Sequence, residues 1–130
     1  MSETEKITIN LGLVDLGQID LLVQEGFYSN RTDFIRTAIR NQLTTHAEEV
    51  RQTVARKTLV LGLEHYTRRD LEAVREAGET LEIKVLGLAS IDDDVDPELA
   101  RETIESLTVL GALRASPALK SAIKDRIQNP

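Results

Sequence analysis

Polar and apolar residues alternate along residues 6–11, with Lys6, Thr8 and Asn10 in one set and Ile7, Ile9 and Leu11 in the other. A period of two is that of a β-strand, so the aliphatic set shares one face and the polar set the opposite one. A single strand this short is not stable alone, and no neighbouring segment offers a hairpin mate. The same strand from a second copy of the chain supplies the partner. The pattern therefore predicts a homodimer joined through the N-terminal strand.

The spacing lengthens from Asp15 onward. Leu16, Ile19, Leu22 and Val23 recur at helical intervals, and Gly26 stops the run. Ser29 is expected to cap a second helix, with Asp33 in its first turns to complement the dipole. Phe34, Ile35, Ala38, Ile39 and Leu43 form the apolar face of that helix, and Ala47, Val50 and Val54 prolong the stripe. The spacing predicts helix over residues 30–57, with a break near Thr44. There Thr44, Thr45 and Glu48 could form a new capping box or a tolerated interruption.

A tripeptide repeat dominates the second half. Val-Leu-Gly occurs at Val60, Leu61, Gly62, then at Val85, Leu86, Gly87, and again at Val109, Leu110, Gly111, at spacings of 25 and 24 residues. Each copy is read as ending an apolar, strand-like run, followed by a turn and a helix. The helices are expected to begin near Arg69, Pro97 and Pro117, proline being well suited to a first helical turn. Three strand-turn-helix units at this period predict a short solenoid with a parallel sheet, like that of leucine-rich repeats. The three glycines are read as relieving crowding where strand meets turn. No further polar unit follows the third repeat before Pro130, so an open sheet edge is expected to favour higher assembly.

Composition narrows the picture. The 130 residues suit one medium domain or two small ones, and 41% are hydrophobic, but Phe27, Phe34, Tyr28 and Tyr66 are the only aromatics. An aliphatic core of this kind is often completed by oligomerisation. The absence of cysteine excludes disulfides and thiolate metal sites. The acidic start and the lack of a long apolar run predict a cytoplasmic protein with no membrane association. The net charge of −6 works against long-range steering to nucleic acid, but much of the acid lies in the second half, as in residues 92–96, read as a solvated loop.

The stretch Gly26, Phe27, Tyr28, Ser29, Asn30, Arg31, Thr32, Asp33, Phe34, Ile35, Arg36, Thr37, Ala38, Ile39, Arg40 follows a strand and a helix. In order, spacing and residue type it resembles the ribbon-helix-helix family that includes the Arc, MetJ and CopG repressors. The resemblance covers residues 6–43, the N-terminal third. It implies a dimer whose paired strands enter the major groove of double-stranded operator DNA as a two-stranded ribbon. Lys6, Thr8 and Asn10 would then read base edges, and Ser29, Asn30 and Arg31 would hold a phosphate at the start of the second helix. Over residues 1–43, four basic side chains face six acidic ones. Affinity is therefore expected to come from several dimers bound side by side.

No catalytic constellation is apparent, so no enzymatic activity is expected. His46 and His65, 19 residues apart, are read as surface or helix-flank residues, and no metal or cofactor is implied. The nickel-responsive members of the resembled family use several histidines and a cysteine, which this chain lacks. The fold class expected is α+β. Residues 1–44 form the DNA-binding arm, 45–57 a helical connector, and 58–130 a small α/β repeat domain for assembly or sensing. The function expected is a sequence-specific transcriptional repressor. The alternative is an antitoxin that autoregulates its operon and binds a partner toxin through its tail.

Overall fold

The computed structural model describes residues 4–128, so Pro130, where the open end of the repeats was expected, lies outside the described residues. The chain divides into two compact units, residues 4–53 and the residues from Val54 onward.

In the first unit, helix α1 spans Leu13–Gln24 and helix α2 spans Arg31–Thr45; helix α3, Ala47–Arg56, begins in this unit and continues past its end at Thr53. Gly26, at φ +86°, closes α1 by adopting the left-handed conformation that glycine takes without strain. The cap of α2 differs from the expectation: it is Asn30, not Ser29. The Asn30 side chain accepts from the Asp33 N–H at 2.8 Å, while the Ser29 N–H donates to the Asp33 carboxylate at 2.9 Å. Asn30 takes the role because its amide oxygen reaches the third helical N–H, leaving Ser29 one position too early. The break near Thr44 is present, at His46, but not as a capping box. The hydroxyls of Thr44 and Thr45 bond back to the carbonyls of Arg40 and Asn41, and the His46 N–H closes the last turn.

The second unit is a parallel sheet covered by helices. Strands β1 (Val60–Tyr66), β2 (Leu81–Ile91), β3 (Ile104–Arg114) and β4 (Ile127–Gln128) lie side by side in chain order. Helices α4 (Arg68–Glu76), α5 (Pro97–Thr103) and α6 (Pro117–Ala122) follow the first three strands in turn, and α5 packs between α4 and α6. Each is capped by a short polar side chain. Thr67, Asp96 and Ser116 accept from the backbone N–H of Asp70, Leu99 and Leu119, and prolines open α5 and α6. Leu71, Leu99 and Leu119, one from each helix, are buried against Ile83, Val85, Ala89 and Ile91 of β2 and Leu107 of β3. The helices therefore share one face of the sheet. Thr103, the buried polar residue of this core, has its hydroxyl satisfied by the Leu99 carbonyl at 2.8 Å.

The Val-Leu-Gly tripeptides lie in register. Val60 pairs with Val85 and Val85 with Val109, so Gly62, Gly87 and Gly111 form a row across three strands. The expectation that these glycines end their strands is corrected. β1 continues to Tyr66, β2 to Ile91 and β3 to Arg114. All three glycines adopt positive φ, +131°, +140° and +118°, in mid-strand. The crowding they relieve is between strands, since a Cβ on Gly87 would sit 2.2 Å from the Gly62 carbonyl oxygen and one on Gly111 2.0 Å from that of Gly87. A fourth strand is also present. β4 pairs Ile127 with Leu107, and the Arg126 guanidinium reaches the Ile104 carbonyl at 2.8 Å, so the β3 edge is partly covered. No strand is predicted there from sequence, because two residues are too short to show a period.

Candidate nucleic-acid interface

The strand expected over residues 6–11 is not formed within the single chain: residues 4–12 carry no regular secondary structure. The physical reason is that a ladder needs a second strand, and among the described residues no segment of the chain is paired here. The aliphatic set is accordingly uncovered, with Ile7 76% and Ile9 60% exposed. Lys6, Thr8 and Asn10 are exposed as well. Across the described residues of the first unit, only Ile19 on α1 is buried. Leu13, Leu21, Phe27, Ile39 and Leu43 remain exposed. A helix pair with one buried aliphatic side chain lacks the apolar burial that stabilises a fold on its own.

Within this unit, α1 and α2 are tied by a bidentate ion pair. The Arg31 guanidinium donates to both oxygens of Asp20 at 2.8 Å, and Tyr28 meets the ring of Phe34 edge to face, centroids 5.0 Å apart. Arg31, expected at a phosphate, is thus held by a carboxylate of the preceding helix, a partner that its sequence distance of 11 residues concealed. Ser29, Asn30 and Arg31 are nonetheless brought together at the first turn of α2. Asn30 and Ser29 are engaged with Asp33, and the N–H groups of Arg31 and Thr32, in the first turn, have no acceptor within the helix.

The hydrogen bonds from Arg31 hold the Asp20 carboxyl below the usual carboxylate range, and the charge of the guanidinium adds to this against a small loss of hydration. A carboxyl whose folded pKa is depressed stabilises the fold above its unfolded pKa and loses that contribution as pH falls through the folded value. Asp20→Asn is therefore expected to lower the thermal midpoint of the helical arm at neutral pH. The gap between wild type and variant should narrow as pH falls below about 4, the ordinary aspartate range, as the Asp20 carboxyl takes up its proton. Melts followed by circular dichroism across that fall in pH check it, and a gap that does not narrow would contradict it.

The sequence pattern of the ribbon-helix-helix transcriptional regulator family matches residues 2–120. The chain belongs to this family. Its members are DNA-binding regulators, and the match extends the resemblance seen in the N-terminal third over nearly the whole chain, including the first three strands of the parallel sheet. An uncharacterized protein of Methanocaldococcus jannaschii is 42% identical over 40 residues, which are 31% of this chain and 41% of the relative. The chain thus spans about two fifths of the length of that relative. No solved structure matches it significantly. Among the described residues, no helix is long and apolar enough to cross a membrane, and no three His, Asp or Glu side chains group as a metal would require.

Proposed function

We propose that this ribbon-helix-helix regulator is a sequence-specific repressor that binds operator DNA as a homodimer. The observation that carries the reading is the uncovered segment 6–11. Its aliphatic residues are exposed and its backbone lies outside any strand, where the resemblance to the ribbon-helix-helix repressors implies a strand paired with a second copy. Pairing two copies antiparallel would bury Ile7, Ile9 and Leu11, each worth about 1.5–3 kcal/mol when fully covered. It would also leave Lys6, Thr8 and Asn10 pointing away from the protein as a polar ribbon. In the major groove Lys6 can donate to guanine, Asn10 can bond adenine through two hydrogen bonds, and Thr8 can meet a thymine methyl. Ser29, Asn30 and Arg31 then lie at the phosphate-facing start of α2, with Arg31 fixed by Asp20. The second unit reads as three leucine-rich-repeat-like strand-turn-helix units that serve assembly or sensing. Its buried aliphatic core favours a repressor over an antitoxin, whose tail commonly orders only on its toxin.

A gel shift against the DNA upstream of the protein's own gene tests the reading. Thr8→Ala and Asn10→Ala are each expected to weaken binding to that site by about 1–3 kcal/mol, leaving thermal stability and binding to random DNA nearly unchanged. Equal losses on specific and random DNA would contradict base reading by this face.

A further inference from the structure

The face of the sheet opposite the helices carries matched side chains along its register. Leu61 pairs with Leu86 and Leu86 with Leu110, and Leu63 pairs with Leu88 and Leu88 with Ala112. One pleat further on, at the carboxyl ends of the strands, the row changes to His65, Ser90 and Arg114. A cleft of about 650 Å³ opens at this row, with Leu63 and Leu88 among its lining residues. The volume lies in the usual range for small-molecule sites.

Charge is divided across the cleft. Glu64, Asp92 and Asp93 line it from β1 and the segment after β2, whereas Arg114 and Lys120 line it from β3 and α6. Between them a hydrogen-bonded row is fixed in direction. His65 Nε2 lies 2.9 Å from Asp92 Oδ1, and His65 Nδ1 lies 2.5 Å from Ser90 Oγ. An ionised carboxylate only accepts, so Nε2 carries a proton, and in the neutral imidazole Nδ1 then accepts from the Ser90 hydroxyl. The order serine, histidine, aspartate is that of a hydrolase. However, Ser90 lies in a strand flanked on both sides by paired strands, so its backbone N–H belongs to the ladder rather than to an oxyanion hole. The row is better suited to binding. It holds Asp92 in place while leaving that carboxylate further lone pairs to accept with, and keeps an oxygen lone pair of Ser90 facing the cleft.

A ligand matched to this site has an ammonium for the acidic wall, a carboxylate for the basic wall, and an aliphatic group for the leucine floor. We propose that the cleft binds a zwitterion of this class, an aliphatic α-amino acid. The assignment rests on the sensing role given above to the second unit and supplies its signal.

Calorimetric titration of the full chain with L-leucine tests it. The expected Kd is on the order of 0.1 mM, as suits a ligand of this size in an open cleft. 4-Methylpentanoate lacks the ammonium, isoamylamine lacks the carboxylate and glycine lacks the side chain. Each is expected to bind about tenfold more weakly or worse. Lys120→Gln and Asp93→Asn, both exposed positions, should weaken leucine binding several-fold with unchanged melting. No binding of leucine, equal binding of 4-methylpentanoate, or wild-type affinity in both variants would overturn the proposal. A chain that binds leucine yet shifts no operator DNA would instead overturn the repressor reading and leave the site standing.

Discussion

Gly87→Ala is expected to unfold the second unit or to lower its thermal midpoint by on the order of 15 °C or more. Two effects combine at this position. The backbone sits at φ +140°, a conformation that costs a residue with a Cβ about 1–3 kcal/mol. The added Cβ would also meet the Gly62 carbonyl oxygen at 2.2 Å, and that oxygen is backbone in a neighbouring strand, so relief requires the strands to part. Gly62→Ala separates the two effects. Its φ is +131°, but a Cβ there has open space around it, so it should show the conformational cost alone. Melts of the two variants by circular dichroism check the ordering. A Gly87→Ala protein as stable as Gly62→Ala would mean that the strands do not approach as closely as described.

The second large effect concerns the segment 6–11. Thr8→Pro and Ile9→Pro each place one proline in the proposed two-stranded ribbon. In an antiparallel pair alternate residues exchange both backbone bonds, so of two adjacent positions one must face the partner strand. Proline there removes a donor and locks φ away from the extended value. At least one of the two is expected to abolish dimerisation through the arm and to lower operator affinity on the order of a thousandfold, with loss of helical signal from α1 and α2. The helices depend on the ribbon because Ile19 is their one buried residue in the single chain, among those described. Gel shifts and circular dichroism decide the matter. Two proline variants that both keep full helicity and full DNA affinity would rule out the ribbon.

What the sequence made legible follows from the range over which each signal acts. The helices of the arm and the break near Thr44 were visible because helical periodicity and glycine stops are local. The parallel sheet was legible because Val-Leu-Gly recurs at the spacing of its strands, and in the structure that repetition becomes stacking in register. Residues 6–11 have the alternation of a strand but form none within the single chain, where no described segment pairs with them. The Asn30 cap was missed by one residue because serine and asparagine are both good caps, and only the direction of the Asp33 N–H separates them. The Arg31–Asp20 pair was not legible, since its members stand 11 residues apart on different helices and nothing in the chain marks them as neighbours. The row of His65, Ser90 and Asp92 went unread although the 25-residue spacing of the Val-Leu-Gly repeat is also the spacing of His65 and Ser90, because the repeat was followed only through its apolar residues. The glycines were recognised as special, but strand-like runs are usually short, so they were taken as ends rather than midpoints.

Because β1, β2, β3 and β4 stand side by side in the order in which the chain visits them, no pairing reaches further than one neighbour. The longest sequence separation any ladder must close is 25 residues, that between Val60 and Val85. The loop-closure entropy of each step is therefore modest and nearly equal from strand to strand. Folding of such an array can start wherever two adjacent units first dock and then spread outward in both directions. The β2–β3 pair, with the longest shared ladder, is the natural starting point, and β1 and β4 join later on either flank. The same geometry implies that opening runs in reverse, from the flanks inward, so the outer strands exchange with solvent while the central pair holds.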